Sequence, residues 1–520
     1  GSRVLAYMGY DYFRNRKTKR QKVQRVLIVG AGDSGEMLAR DMEKRGYVPY
    51  RPVGFVDDDP EKRGLSIRDV PVLGTTGEIE EIVQAQRIDL IIIAIPSATT
   101  TQMKRITLLS RKTGVEVKRI PSLFSILSGR VSINHIRDVE PEHILGRRVN
   151  LEEVGNLDGL LRGKRVMVTG AGGSIGSELC RQIASYRPER LILLDNSENG
   201  IYTVYTELLE KYQKDMIIPV VSDIQHRLKM KNLFSEQRPG IVFHAAAYKH
   251  VPLMEFNADS AIKNNVWGTE NISSFSARYG VDKFVMISSD KAVNPTNIMG
   301  ATKRVAEKII LAFQCYGKTH FCAVRFGNVL GSNGSVLPLF KKQIASGGPV
   351  TVTHPEIIRY FMTIPEAVHL VLNAAAISRG GEIFVLDMGK PVRILDMARS
   401  LIRLSGLQPE RDIEIKFIGL RPGEKLYEEL VTRDEGMRET AHKRILLISP
   451  AGIEPTTVMK KVKELYGSIQ QNNLSKAINT IRELVPEYRE ESPDSPPLRI
   501  LKMAEFTDSV RAIGFSHESG

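Results

Sequence analysis

The chain has 520 residues, more than a single hydrophobic core organises, so two or three domains are expected. Hydrophobic residues at 42% and charged residues at 26% exclude a disordered chain, and no run reaches the roughly 20 apolar residues that span a bilayer. The surplus of 73 Lys and Arg over 60 Asp and Glu, +13, suits an anionic small molecule, an acidic membrane surface or nucleic acid without choosing among them.

Part of that surplus is local. "RNRKTKRQK", Arg14 to Lys22, precedes the first strand-like segment and reads as a basic arm over 1–22, either solvated or juxtamembrane and facing anionic lipid. Gly1-Ser2 reads as a tag remnant, so an upstream membrane anchor is expected to have been removed. The cysteines, Cys180, Cys315 and Cys322, have neither metal-site nor disulfide spacing and fit a reducing compartment. No metal site is expected.

Short apolar runs then alternate with helical patterns, and the series occurs twice, predicting two tandem doubly wound Rossmann-like α/β units. The first, over 23–149, begins with a buried strand, Val26 to Val29. It runs into Gly30, Gly32 and Gly35 and an amphipathic helix stopping at Gly46. A second strand ends at Asp57, at the distance where an acid meets a ribose, and a third ends near Pro96. The glycine spacing alone is weak evidence for a ligand, because tight strand-to-helix turns require glycine anyway. This half carries no acid, base or nucleophile constellation, so a regulatory or structural role is expected of it.

The second series, 150–435, begins "KRVMVTGAGGSIGSELCRQI". Gly170, Gly173 and Gly176 let backbone N–H groups and a helix N-terminus approach a pyrophosphate. Asp195 ends the next strand, placed for the adenosine ribose, and repels a 2′-phosphate; NAD is therefore expected over NADP. Asp223 in "VVSDIQ" suits adenine, and the small residues Ala245, Ala246 and Ala247 let the chain pass close to a flat cofactor. The fifth strand, "KFVMISSDK", delivers Ser288, Ser289, Asp290 and Lys291 to the carboxyl end of the sheet, where the reacting ligand sits. In the helical "MGATKRVAEKII", Met299 and Lys303 lie four apart on one face.

Here the motifs acquire a likeness. TGxxGxxG, HAAA, a serine at the fifth strand end and a residue four before a lysine resemble the extended short-chain dehydrogenase/reductase superfamily. "HAAAYKHVPLME", "SSDKAVNPTNIMGATKR", "RFGNVLGSNGSVLPLF" and "RPGEKLYEEL" resemble the long, membrane-anchored bacterial UDP-N-acetylglucosamine 4,6-dehydratases of surface-glycan and glycoprotein sugar synthesis. The resemblance implies a UDP-sugar substrate, a tightly bound and recycled NAD, a homo-oligomer of two or more chains, and a place on the cytoplasmic face of the inner membrane. It implies cofactor contacts from Ser174, Ile175, Ile224 and Lys303 beside the residues named above. It also implies substrate contacts from Lys249, Asn328, Val336, Thr351 and Thr353, with Arg359 and Arg421 at the diphosphate and Glu424 at a ribose.

Most of the superfamily places tyrosine where this chain has Met299, which neither gives nor takes a proton. The long dehydratases share that substitution, so the proton of the sugar 4-hydroxyl needs another route: Ser289, Lys303, Lys291 or a water. Dehydration requires an acid and a base side by side, and Lys291 is expected as the C5 base with Asp290 as the acid at the 6-hydroxyl. A free lysine titrates near 10.4 and an aspartic acid near 3.9. Burial is expected to draw those values together, lowering Lys291 and raising Asp290.

From about Thr432 the pattern reads as a helical tail, 436–520, holding "TTVMKKVKELYGSIQ" and "SKAINTIRELVPEY". Retention of C5 configuration follows from likeness to the methionine-bearing group. An inverting dehydratase and a non-catalytic NAD(H)-sensing protein are the alternatives. Nucleic-acid binding is not expected, because the basic residues are dispersed and no binding motif interrupts the dehydrogenase pattern.

Overall fold

The computed structural model describes residues 23–44, 50–95, 98, 100–119, 137–138, 155–405, 407–432, 435–449 and 454–489. These fall into two compact units. The first holds the described residues before Val149 with Ile344–Pro349 and Ala398–Glu414; the second holds those of Val149–Gln343, Val350–Met397 and Ile415–Gly520. The basic run Arg14 to Lys22 lies outside the described residues. Among the described residues no helix is long and apolar enough to cross a membrane.

In the first unit the strands are β1 (Gln24–Val29), β2 (Tyr50–Val56), β3 (Ser66–Ile67), β4 (Val70–Gly74), β5 (Leu90–Ile93), β6 (Glu116–Arg119) and β7 (Arg137–Asp138). They form one sheet in the order β3-β4-β2-β1-β5-β6-β7, parallel at its centre and antiparallel at both edges. Leu27, Val29, Ile91 and Ile93 face one apolar cluster, and Val26, Ile28, Leu90 and Ile92 face another. Apolar residues on both faces are what a parallel sheet covered on both sides demands. Leu404 packs in the first of these clusters, and Arg111 Nη1 donates to the Leu404 carbonyl at 2.7 Å. The stretch around it therefore belongs to this unit, although its position in the chain placed it in the second.

In the second unit the central strands are β8 (Arg165–Thr169), β9 (Arg190–Asp195), β10 (Ile217–Val221), β11 (Ile241–His244), β12 (Lys283–Ile287) and β13 (His320–Arg325). Short pairs β14 (Asn328–Val329), β15 (Val350–Val352), β16 (Ile358–Arg359) and β17 (Phe361–Met362) follow, then β18 (Glu382–Leu386), β19 (Val392–Arg393) and β20 (Ile415–Phe417). The last two are β21 (Gly436–Glu439) and β22 (Ile445–Ser449). Nine strands make one sheet, β10-β9-β8-β11-β12-β13-β18-β22-β21, parallel from β10 to β18. The order reverses between β8 and β11, and a ligand crevice opens at the carboxyl ends of the strands there.

The expected helical tail is corrected in its first part. β21 and β22 add antiparallel to β18 and cover what would otherwise be an exposed sheet edge. Among the described residues helices follow at Pro455–Gln470 and Leu474–Leu484, and both share an apolar cluster with the long helix Ile298–Gln314.

One buried charge network ties these elements together. Arg325, at the end of β13, is fully buried and donates through Nε and Nη2 to Glu307 at 2.7 and 2.8 Å. Its Nη1 and Nη2 donate to Glu435 at 2.8 and 2.9 Å. Arg304 joins the same two carboxylates and reaches Glu487 beyond the last helix. Ser288, at the tip of β12, donates to Glu307 Oε1 at 2.6 Å.

Burial, the largest influence on Glu307, pushes its carboxyl up, yet Arg325, Arg304 and Ser288 together hold it down at about 2. Its folded value lies below its ordinary one. The stabilisation is therefore complete above about pH 4.5 and is lost as pH falls toward 2. Removing one partner of such a network leaves an uncompensated buried charge. Arg325→Met is expected to destabilise the fold by about 3–5 kcal/mol, read as a fall in denaturant midpoint. A midpoint within error of the unmodified protein would show the network to be energetically idle.

Candidate active site

The site is built at the reversal point of the second sheet. β8 ends in Thr169, and the chain turns at Gly170 with φ of +71°, where an added Cβ would lie 2.6 Å from the Ala246 nitrogen. An added Cβ at Gly176 would lie 1.9 Å from the Gly170 carbonyl oxygen. The first glycine lets the loop pass under the alanine run, and the other lets α1 (Ser174–Ser185) start against it. Gly173 is the residue preceding this helix, and the amides of Ser174, Ile175 and Gly176 open it, where N–H groups lack intrahelical acceptors. This is an anion cradle.

Asp195, at the tip of β9, accepts from Gly172 N–H at 2.9 Å and from Ser197 N–H at 2.8 Å, one bond to each oxygen. Each oxygen keeps a lone pair for a ribose hydroxyl. Asp223 closes a turn by accepting from Gln225 N–H at 2.8 Å, and Ile224 packs where a Cβ on Gly268 would meet it at 2.3 Å. Ala245, Ala246 and Ala247 are half-buried. These residues fit a dinucleotide with a free 2′-hydroxyl.

Beneath them, Thr269 donates to the Asn265 carbonyl, so its oxygen is left to accept from His244 Nε2–H at 3.0 Å. His244 Nδ1 then accepts from Thr169 at 2.7 Å. Burial, reinforced by Lys303, pushes the imidazole down to about 3, so it is a neutral brace. Lys303 donates to the Ile287 carbonyl at 2.6 Å, and burial, only partly countered by Glu307, lowers it to about 8. Met299, one helical turn earlier in α2 (Ile298–Gln314), is buried in an apolar cluster with Ile262, Val266 and Val305.

The tip of β12 gathers the acid–base set. Asp290 is 1% exposed, and the Lys291 side chain 19%. Lys291 Nζ lies 3.0 Å from Asp290 Oδ1, 3.4 Å from Asn328 Oδ1 and 3.6 Å from Glu428 Oε1. Ser289 Oγ donates to Asp290 Oδ1 at 2.8 Å. The pair is thus withdrawn from water, but the expected fall of Lys291 is corrected. Burial, the largest influence, does lower it, and the anions Asp290 and Glu428 outweigh burial and leave it raised. The sequence reading missed Glu428. It stands in the quoted "RPGEKLYEEL" beside other glutamates, and nothing local singles it out.

The expected substrate residues divide. Asn328 reaches Lys291, and the pKa of Lys249 is lowered, first by desolvation of its amine and then by the Lys291 charge. Val336 is half-buried at the start of the helix Val336–Ala345, and Arg421 is exposed. Thr351 is tied to Gln343, accepting from its Nε2 at 2.7 Å, and Thr353 donates to Glu424 at 3.5 Å. Arg359, expected at the diphosphate, already has partners within the protein. Its buried guanidinium donates to the carbonyls of Ile358, Lys425 and Leu426 and to Glu424, so it anchors the 424–428 segment. Glu424 accepts from Arg359, Thr353 and Arg421 N–H, which commits it to that same anchor.

Gly176→Ala is expected to break the loop and release any bound dinucleotide, seen as lost 260 nm absorbance in the denatured filtrate and a lower Tm. Gly32→Ala in the first unit, where an added Cβ meets nothing within 4 Å, is the control that changes neither.

Residues 166–450 match the family described as polysaccharide biosynthesis protein, and residues 2–121 match one described as a CoA-binding domain. The chain is 46% identical to the capsular polysaccharide biosynthesis protein CapD of Staphylococcus aureus, over 92% of this chain and 80% of that one. It is 30% identical to an inverting UDP-N-acetylglucosamine 4,6-dehydratase of Campylobacter jejuni, over 56% of this chain and 84% of that one. Among solved structures it is similar to Pen from Bacillus thuringiensis, 33% identical with a TM-score of 0.52, covering 56% of this chain and 91% of that one. With its sheet order, glycine loop and buried strand-tip charges in place, the chain belongs to the polysaccharide biosynthesis protein family, with a nucleotide-sugar dehydratase among its relatives.

Proposed function

We propose that the second unit catalyses NAD-dependent 4,6-dehydration of a UDP-hexose, with UDP-N-acetylglucosamine as substrate and a UDP-4-keto-6-deoxy sugar as product. The observation that carries this reading is the Asp290–Lys291 pair, joined at 3.0 Å and withdrawn from water at the tip of β12, two strands along the sheet from β8, which leads into the glycine loop. The dinucleotide, held by the Gly170–Gly176 loop and Asp195, would supply a place for the C4 hydride to rest before it returns to C6.

The chain's own groups manage the protons. Lys291 is an ammonium in this site, so acting as a base requires it first to pass a proton to Asp290. That transfer leaves a neutral amine to take the C5 proton and a protonated carboxyl to hand one to the departing 6-hydroxyl, which leaves as water. Lys291 then returns its proton to C5. The count closes when the proton that left the 4-hydroxyl reaches Asp290. Ser289, already donating to Asp290 Oδ1, is placed to pass it on, and the apolar burial of Met299 leaves that residue out of the path.

Two stereochemical readings separate cleanly. Methionine in place of tyrosine favours retention at C5, whereas the Campylobacter jejuni relative is named as inverting. The Arg14 to Lys22 run supports a further reading, residence on the cytoplasmic face of a bacterial inner membrane as a homo-oligomer serving surface-glycan synthesis.

Incubating the protein with a panel of UDP-hexoses and no added NAD is expected to yield a 4-keto-6-deoxy product, with the C5 configuration read by NMR. Absence of that product from every donor would return the chain to a non-catalytic dinucleotide sensor. Lys291→Ala is expected to abolish solvent deuterium incorporation at C5, and persistence of that exchange would remove Lys291 from the role of base.

A further inference from the structure

Lys291 has a second carboxylate that an acid–base pair does not require. Glu428 is buried, and its Oε1 stands 3.6 Å from Lys291 Nζ and 3.7 Å from Arg359 Nε. Among the described residues, Glu428 Oε2 and Asp290 Oδ2 are both buried without a hydrogen-bond partner. Orphaned buried carboxylate oxygens are costly and mark a site kept for its charge rather than for its packing. Glu428 arrives from the 424–428 segment, which Arg359 holds through the carbonyls of Lys425 and Leu426. Lys291 is faced by Asp290, Glu428, Arg359 and Lys249, and Glu428 in turn by Lys291, Arg359 and Lys425.

We propose that Glu428 is a positioning residue for the dehydration, a fixed counter-charge that holds the Lys291 ammonium in place while Asp290 is protonated. The inference rests on the dehydratase reading. During elimination the C5–H bond breaks and an N–H bond forms on Lys291, while the C6–O bond breaks and Asp290 gives its proton to the leaving oxygen. As the ammonium begins to form, Asp290 is still neutral and offers it no counter-charge. A buried cation without a partner is costly, and Glu428 supplies that partner from a different element.

Glu428→Gln and Glu428→Asp test this in the full chain. Glu428→Gln is expected to lower kcat about tenfold or more, with KM moved little, because Glu428 acts through Lys291. The alkaline limb of the pH profile, where Lys291 is lost as an ammonium, should move to lower pH, and Glu428→Asp should restore part of both effects. A readout independent of turnover is the Nζ titration followed by nitrogen NMR, with the Lys291 signal identified by its loss in Lys291→Met. Its midpoint is expected to fall in Glu428→Gln. An unmoved midpoint and alkaline limb, with only a lower Tm, would reduce Glu428 to a structural tie of Arg359. If the unmodified protein turns over no UDP-hexose the dehydratase reading fails, yet the Nζ titration still decides whether Glu428 governs the lysine.

Discussion

Arg325 is fully buried, and its guanidinium spans two carboxylates that distant parts of the chain supply, Glu307 from α2 and Glu435 from just before β21. Much of the catalytic half is arranged around that bond. Glu307 also accepts from Ser288, so the tip of β12 is held by the group that neutralises Arg325. Arg304 carries the network on to Glu487, locking the last helices to the same point. Such a network adds little net stability over an apolar core of equal volume, but its loss of one member is severe. Its effect is geometric: strand tip, helix and C-terminal strands keep one arrangement.

The strand tip then turns on a contest of magnitudes. Burying an ammonium costs several kcal/mol. A carboxylate between 3 and 4 Å away returns about 5 kcal/mol at an effective dielectric near 20. One anion roughly cancels burial, and two exceed it. Lys291 has two, Asp290 and Glu428, and is therefore charged, whereas Lys303 donates to a backbone carbonyl, and burial, only partly countered by Glu307, lowers it to about 8. Two lysines close in the sequence thus receive opposite protonation tendencies from their surroundings.

The two units solve the same turn with the same devices. Asp57 at the tip of β2 accepts from Ala31 N–H at 2.7 Å, as Asp195 accepts from Gly172, and in both an acid stabilises a glycine-rich loop. The first unit pairs Asp57 with Lys62, whereas the second carries the Ser289, Asp290 and Lys291 set at a strand tip.

Periodicity and glycine spacing are local properties, so the amino-acid sequence alone determined both parallel sheets, the glycine loop, the place of Asp195 at a strand tip, and the arrival of Asp290 and Lys291 at a strand end. A helix phase likewise placed Met299 and Lys303 on one face. Tertiary structure alone decided the rest, because each remaining feature depends on residues distant in the chain. Glu428 became a partner of Lys291, Arg359 became an anchor for the 424–428 segment, β21 and β22 closed a sheet edge, and Leu404 joined the first unit's core. The sign of the Lys291 shift belongs with them: burial can be guessed from an apolar strand, but the number of carboxylates around a buried amine appears only when the chain has folded.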